Sequence, residues 1–544
     1  MKIYDYIVVG TGAGNIVTDA AIDAGKKVAI IEQGKFGGTC LNRGCIPTKT
    51  LLTPVDYKRD FDRLKAAGLV EGDFSLNYDN IQKRMWDYIK SNSRAVLDEY
   101  RAEPKVDIYQ GRGFFTGKKT LRVRYPDDSL SEELTAEVIL LANGAKTRIP
   151  DTVRGLDQVD YVTSETFFGD KFPQKPYESL TILGGGVIAA EFASFFAGLG
   201  TKVTIVQRNP KLLPHFDQDI VAVLSKSFQD QGVELYLNSD MREVHKQADG
   251  QLEFLVESRS DGSQSGFKSE ALMIATGIVS TADQLEVAKS GIDQDKRGYI
   301  RTNEFLETSV EGIYSIGDAN GKFQLRHVAN YEAETLAYNL YGRLAEVEEP
   351  GFWSLGSSDG GILEKMETKA SGASGKKSAL SGLKPRCRVR YDIVPAAVFS
   401  DPQIASVGLG EDQAKAQGLT YSVGKFYYGS VSKAYAMGFA AGEEKEFVKV
   451  IAEQASGLIR GVQIVGPEAA ILVQIYANLL NTGLYRYEPV EADIASAETL
   501  RERKEVKGRY LDPRTSAALN LSMTIHPALS EVATWAASEL EEVE

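Results

Sequence analysis

Cysteine is scarce in this chain, with three in 544 residues, too few for a disulfide framework. No stretch reaches the ~18 uninterrupted apolar residues that a membrane-spanning helix needs, so no membrane partner is expected. The formal charge is -13, with acidic and basic residues intermixed. No polybasic run is present that could displace counterions from nucleic acid, which removes nucleic acid from the expected partners. A first strand that begins almost at Met1 leaves no room for the charged and apolar regions of a secretion signal. The expected location is cytoplasmic, and no metal-ligating set is assigned.

What is present is an ordinary globular composition, 43% hydrophobic and 25% charged. The length exceeds what one core can organise and implies about three or four domains. Tyr6-Ile7-Val8-Val9 is a short β-branched run ending in Gly10-Thr11-Gly12-Ala13-Gly14-Asn15, and Ile16 to Ala24 follows with helical spacing. A second strand, Lys27 to Ile31, ends at Glu32. Glycines let the backbone approach a pyrophosphate at the helix N-terminus, and an acid about 20 residues on can bind a ribose diol. Gly10, Gly12, Gly14 and Glu32 are therefore candidate nucleotide-binding residues. Asn15 stands where the last glycine of G-x-G-x-x-G is usual, a change expected to alter helix–strand packing more than phosphate contact.

The pattern returns at Leu180-Thr181-Ile182-Leu183-Gly184-Gly185-Gly186, followed by Ala189, Ala190 and Glu191 and a strand over Lys202 to Val206. Gly184 and Gly186 mark a second nucleotide fold, and two folds imply two nucleotides. Between the first fold and its repeat lies Gly37-Gly38-Thr39-Cys40-Leu41-Asn42-Arg43-Gly44-Cys45-Ile46-Pro47-Thr48-Lys49. Cys40 and Cys45, with four residues between them and read as sharing one helical face, can form a redox disulfide. A helix start supplies N–H groups and positive potential that favour a thiolate.

The run GGTCLNRGCIPTK resembles the redox motif of the FAD-dependent pyridine nucleotide–disulfide oxidoreductases, whose members include dihydrolipoamide dehydrogenase, glutathione reductase and mycothione reductase. Other segments carry the same resemblance in the same order: Leu141-Ala142-Asn143-Gly144-Ala145, Ala275-Thr276-Gly277, Gly312 to Ala319 with Gly317-Asp318, Gln324-Leu325-Arg326-His327-Val328-Ala329-Asn330, and Ile525-His526-Pro527-Ala528-Leu529-Ser530-Glu531. The resemblance implies an α/β fold with two Rossmann-like nucleotide-binding domains plus a C-terminal α+β dimerisation domain. The expected boundaries are 1–150 for the first part of the FAD domain, 151–279 for the NAD(P) domain and 280–346 for the second part of the FAD domain. A Gly/Ser/Lys-rich insertion is expected at 347–388 and the dimerisation domain at 389–544.

The same resemblance implies the site. FAD would lie along Gly10, Gly12, Gly14, Glu32, Thr39, Gly317 and Asp318, and NAD(P)H along Gly184, Gly186 and Arg208. Cys45 would be the thiol beside the flavin and Cys40 the interchange thiol. Lys49 and Glu191 would pair beside the flavin ring. His526 and Glu531 would form an acid–base dyad reaching across a homodimer to the partner's cysteines, since thiol exchange needs a base that makes the thiolate. His327 is expected to be structural or cofactor-contacting, and Cys387 a bystander thiol. Electrons would pass between nicotinamide, FAD, the Cys40–Cys45 disulfide and a substrate, a cycle that suits a reducing cytoplasm.

Nucleotide and substrate are less sharply marked. Gln207 stands where an NAD-selective site favours an acid, while Arg208 and Lys211 could receive a 2′-phosphate, which leans to NADP. The expected substrate is a protein-bound lipoyl group, as in dihydrolipoamide dehydrogenase. The alternative is a small disulfide, as in mycothione reductase. A redox sensor or scaffold that does not turn over is the reading from another class.

Overall fold

In this computed structural model the described residues are 1–342, 387–455, 457–481 and 523–526. The strand Lys2–Val9 lies at the centre of a sheet, with Val28–Glu32 on one side and Leu134–Leu141 on the other, both parallel to it. Tyr6, Ile7, Val8 and Val9 are all buried, as a parallel sheet covered on both faces requires. Late in the chain, Ile313–Ser315 returns to this sheet and pairs in parallel with Leu134–Leu141. The second nucleotide fold is thus an excursion between two parts of the first.

That second fold is a four-stranded parallel sheet in the spatial order Glu234–Leu237, Lys202–Gln207, Ser179–Leu183, Ala271–Ile274. Beyond it, a five-stranded antiparallel sheet runs from Ala396–Val398 to Tyr421–Tyr427. The fold class is the one expected: two α/β units, each with parallel strands at its centre, and a C-terminal antiparallel-sheet unit. The helices that matter below are α1 (Gly14–Asp23), α2 (Gly38–Arg43), α3 (Cys45–Ala66), α4 (Val187–Gly198), α5 (Gln218–Asp230), α6 (Arg326–Tyr341) and α7 (Ala469–Asn481).

One core joins the three units. Leu51, Leu52 and Val55 of α3 pack with Phe192, Phe195 and Phe196 of α4, and Val398, Phe447 and Val465 of the antiparallel sheet belong to the same cluster. Gly198 sits where a Cβ would come within 2.1 Å of Val55 Cγ1, so the α3–α4 crossing depends on a missing side chain.

A buried ion cluster locks the second and third units together. The Lys449 side chain is fully buried. Its Nζ reaches Asp217 Oδ2 at 2.6 Å, Asp219 Oδ1 at 2.7 Å and Glu411 Oε1 at 3.0 Å. Asp217 precedes α5 and accepts from the Glu411 backbone N–H, and Lys425 also binds Asp219. The three carboxylates converge closely enough to suggest a cation site, but the Lys449 ammonium is that cation.

The expected helix over Ile16 to Ala24 begins two residues earlier, at Gly14. Cys387 is buried, and its backbone is held by the Asn339 side chain. Of the expected 347–388 insertion, all but the last two residues lie outside the described residues, as does Glu531.

Candidate active site

The reading of Cys40 and Cys45 on one helical face is corrected by the structure. Cys40 lies in α2, Cys45 opens α3, and Gly44 breaks the helix between them with φ -137° and ψ -111°. A residue in the middle of one continuous helix would hold the two side chains about 140° apart, since five residues exceed one 3.6-residue turn. The break at Gly44 lets them face each other. Both are thiols in this structure.

Their protonation is unequal. The hydrogen bond from Cys40 lowers Cys45 first; burial opposes it, and the charges of Lys49, His526 and Arg326 add to the lowering, giving about 6. Cys40, as the donor in that hydrogen bond and buried as well, is pushed up. At neutral pH the pair therefore holds one thiolate, on Cys45, and one thiol, on Cys40. In the dithiol protein, thiolate ultraviolet absorbance is expected to titrate with a midpoint near pH 6, the signal being present above that pH and lost below it. The step should be missing from a Cys45→Ser variant, and its persistence there would reassign the thiolate.

Both cysteines open into one cavity of about 970 Å³, at the large end for a small-molecule site. Its walls carry both glycine turns. Gly10, at φ +100°, would put a Cβ 2.3 Å from Ala142 O, and Gly184, at φ +119°, would put one 2.2 Å from Ala275 O. Each turn therefore excludes any side chain and keeps its strand close to a neighbour. Gly12 and Gly38 approach so closely that a Cβ on Gly38 would fall 2.5 Å from Gly12 Cα. These cradles fit the pyrophosphates of two dinucleotides. Glu32 is buried, accepting from Thr11 N, Thr11 Oγ1 and Gly34 N at 2.7 to 2.9 Å.

Gly317 and Asp318 lie on the wall near Cys45, and Thr39 on the wall at the start of α2. Burial, then the Cys45 and Glu332 charges, raise the Asp318 carboxyl to about 7, so near neutrality it can donate as well as accept. Gly186 opens the second turn, and a Cβ there would meet nothing within 4 Å. Gly14 is the exception among the predicted glycines. It is absent from the cavity wall, and its missing Cβ would lie 3.0 Å from both Val8 Cγ2 and Ala142 Cβ. Gly14, one place early, permits the close helix–strand packing that was assigned to the glycine missing at Asn15.

Lys49 and Glu191 come together from α3 and α4, with Lys49 Nζ 2.9 and 2.8 Å from the two carboxylate oxygens. Sequence reading missed the third member. The Phe399 N–H donates to Glu191 Oε1 at 3.1 Å, and its ring centroid lies 4.6 Å from Lys49 Nζ. Nothing local in the sequence marks Phe399, which arrives from the antiparallel sheet.

At the second turn, Arg208 lines the cavity. Lys211 does not join it: its Nζ donates to Phe216 O at 2.6 Å. Two unanticipated arginines on the same wall, Arg242 and Arg259, are already paired with Asp240, and Arg242 also with Glu257. His327 is buried, with its Nε2 2.7 Å from Pro395 O.

His526 lines the cavity of its own chain, where its charge bears on Cys45. The tail is pinned by Gln474 of α7, which accepts from Ile525 N at 3.0 Å and donates to Met523 O at 3.3 Å.

The family model for pyridine nucleotide-disulphide oxidoreductase matches residues 4–333, and that family's dimerisation domain matches residues 394–505. Mycothione reductase of Mycobacterium tuberculosis is 32% identical over 489 residues, covering 89% of this chain and 94% of the relative. Dihydrolipoyl dehydrogenase of Chlamydia muridarum is 28% identical over 507 residues, covering 92% and 96%. The HOCl-induced flavoprotein disulfide reductase RclA of Escherichia coli superposes with a TM-score of 0.68 at 23% identity, over 99% of this chain and all of that one, a likeness of fold.

Proposed function

Because this chain belongs to the pyridine nucleotide-disulphide oxidoreductase family and carries its dimerisation domain, we propose that it is a homodimeric reductase of a low-molecular-weight disulfide, using FAD and NADPH. The observation that carries this reading is the thiolate–thiol pair of Cys45 and Cys40, set in one cavity with two dinucleotide cradles. When bound, FAD supplies a two-electron relay between the nicotinamide and the cysteine pair.

The chain's own residues account for the thiol chemistry. His526 takes the Cys40 proton, and the Cys40 thiolate attacks one sulfur of the substrate disulfide. A mixed disulfide forms, and the leaving thiolate takes the proton back from His526. Cys45 then attacks Cys40 Sγ, which releases the second substrate thiolate to be protonated from solvent and leaves a Cys40–Cys45 disulfide. Per cycle one substrate disulfide becomes two thiols, and the two electrons come from NADPH. Lys49, held by Glu191 and Phe399, offers a fixed positive charge where negative charge develops on reduction.

Arg208 supports NADPH. Among the described residues it has no hydrogen bond or ion pair, whereas Lys211, Arg242 and Arg259 are occupied. A free guanidinium suits a 2′-phosphate. A second reading, oxidation of dihydrolipoyl groups with NAD, is favoured by Gln207, buried on the same wall, whose amide oxygen can accept from ribose hydroxyls.

A turnover panel tests the proposal: glutathione disulfide, coenzyme A disulfide, sugar-thiol disulfides and lipoamide, each with NADH and NADPH, together with dihydrolipoamide and NAD. The expected result is oxidation of NADPH, faster than NADH, by a small disulfide. Turnover of dihydrolipoamide with NAD alone would select the second reading. Failure of every combination would point to a redox sensor or scaffold.

Hybrid dimers of Cys45→Ser with His526→Gln subunits locate the base. A histidine serving its own chain leaves the hybrid without an intact site and without activity. Recovery of activity on mixing would assign the histidine to the partner's cysteines.

A further inference from the structure

Among the cations on the cavity wall that take no part in the thiol chemistry above, Arg326 stands nearest the first glycine turn. Arg326 opens α6 and lines the cavity wall. Its Nη1 lies 3.7 Å from where a Cβ on Gly12 would be, so the guanidinium stands against the first glycine turn. That turn is also where Gly38 closes in. Among the described residues no hydrogen bond or ion pair engages the guanidinium. A side chain with five donors, partly buried and without a protein acceptor, leaves its hydrogen-bonding capacity for a ligand.

The surroundings narrow what that ligand can be. Gly10, Gly12 and Gly38 present backbone without side chains, a surface that fits a phosphate and offers an apolar group little to pack against. The planar guanidinium fork matches the geometry of phosphate oxygens. The charge also acts on Cys45 and Asp318, stabilising the anionic form of both, so Arg326 stands against the first turn and within electrostatic reach of the redox pair. Arg208, exposed at the second turn, is likewise without a hydrogen bond or ion pair among the described residues.

We propose that Arg326 is a positioning residue for the flavin cofactor, binding the FAD pyrophosphate against the Gly10–Gly12 turn. The proposal rests on the flavin reading above and goes beyond it by assigning a specific cation, one that lies outside both glycine motifs. A charge-assisted bidentate contact is worth about tenfold or more in affinity. Through that anchor Arg326 also fixes where the flavin ring meets Cys45.

The test uses full-length holoprotein and follows FAD release by the rise in flavin fluorescence over a series of KCl concentrations. Arg326→Met is expected to release FAD at least about tenfold faster than wild type and to show a weaker acceleration by salt, because a screened charge contact has been removed. Arg326→Lys, which keeps the charge but loses the fork, should fall between the two. Equal release by wild type and Arg326→Met overturns the proposal. Release by Arg326→Lys as fast as by Arg326→Met, with an unchanged salt response in both, also overturns it, since it would mean lost packing. If Arg326→Met fails to fold, Arg326→Gln, which also removes the charge, takes its place with the same expected and overturning results. Wild-type protein that binds no FAD would instead refute the flavin reading itself.

Discussion

Cys45→Ser protein is expected to lose disulfide turnover by at least about a thousandfold while retaining its flavin. Two features of the site set this size. Serine cannot close a disulfide with Cys40, so the mixed disulfide with substrate has no internal nucleophile to resolve it. Serine also cannot supply the anion that Lys49, His526 and Arg326 stabilise at this position, because a hydroxyl stays protonated where this thiol titrates near pH 6. The cradles at Gly10, Gly12 and Gly38 do not involve the Cys45 sulfur, so FAD absorbance should persist in the purified variant. NADPH oxidation with the best disulfide of the panel gives the rate, and a thiol count after substrate addition should show the trapped mixed disulfide on Cys40. Full activity in this variant would remove the cysteine pair from the mechanism.

The second large effect is on stability. Lys449→Met removes a fully buried ammonium from among Asp217, Asp219 and Glu411, leaving carboxylates that repel one another. Removing one partner of a buried ion cluster costs roughly 3–5 kcal/mol. Here the lower end, about 3 kcal/mol, is expected, because Asp219 and Glu411 are partly solvated and Lys425 still pairs with Asp219. The loss falls on the contact between the second nucleotide unit and the antiparallel sheet, so proteolysis near α5 should accelerate along with a lower melting temperature. Adding Asp217→Asn should restore part of the loss by removing one of the repelling charges.

The pH dependence follows from Asp219. Burial would raise its carboxyl, but the Lys425 and Lys449 ammoniums outweigh burial and hold it below the usual carboxylate range. A depressed acid contributes stability above its unfolded value, about 4, and loses it as pH falls through the lower folded value. The gap in melting temperature between wild type and Lys449→Met should therefore be full at pH 7 and shrink below about pH 4. A gap that stayed constant down to pH 3 would mean that the lysine acts through packing alone.

Much of this site was legible in the chain because its parts are local. A glycine turn must be contiguous with its strand and helix, so Gly10, Gly12, Gly184 and Gly186 could be read from spacing. Cys40 and Cys45 occupy a single segment with Lys49. Gly14 was legible as a glycine, but its packing role was not, because what it packs against, Val8 and Ala142, depends on how helix and sheet meet. The shared helical face of the cysteines was misread for a related reason: a glycine at position 44 is compatible with a continuous helix, and only its φ of -137° and ψ of -111° in the fold show the break.

The partners of these residues were beyond such reading. Phe399 reaches Glu191 across 208 positions, and Lys449 reaches Asp217 across 232. No propensity or period links residues so far apart. By itself the sequence determined the reaction class, since turns and thiols need particular residue types at short fixed spacings. Only the tertiary structure decided which cations remain free. Lys211, Arg242 and Arg259 resemble Arg208 and Arg326 as letters, but a charge is available to a ligand only if folding has brought no carboxylate or carbonyl to it.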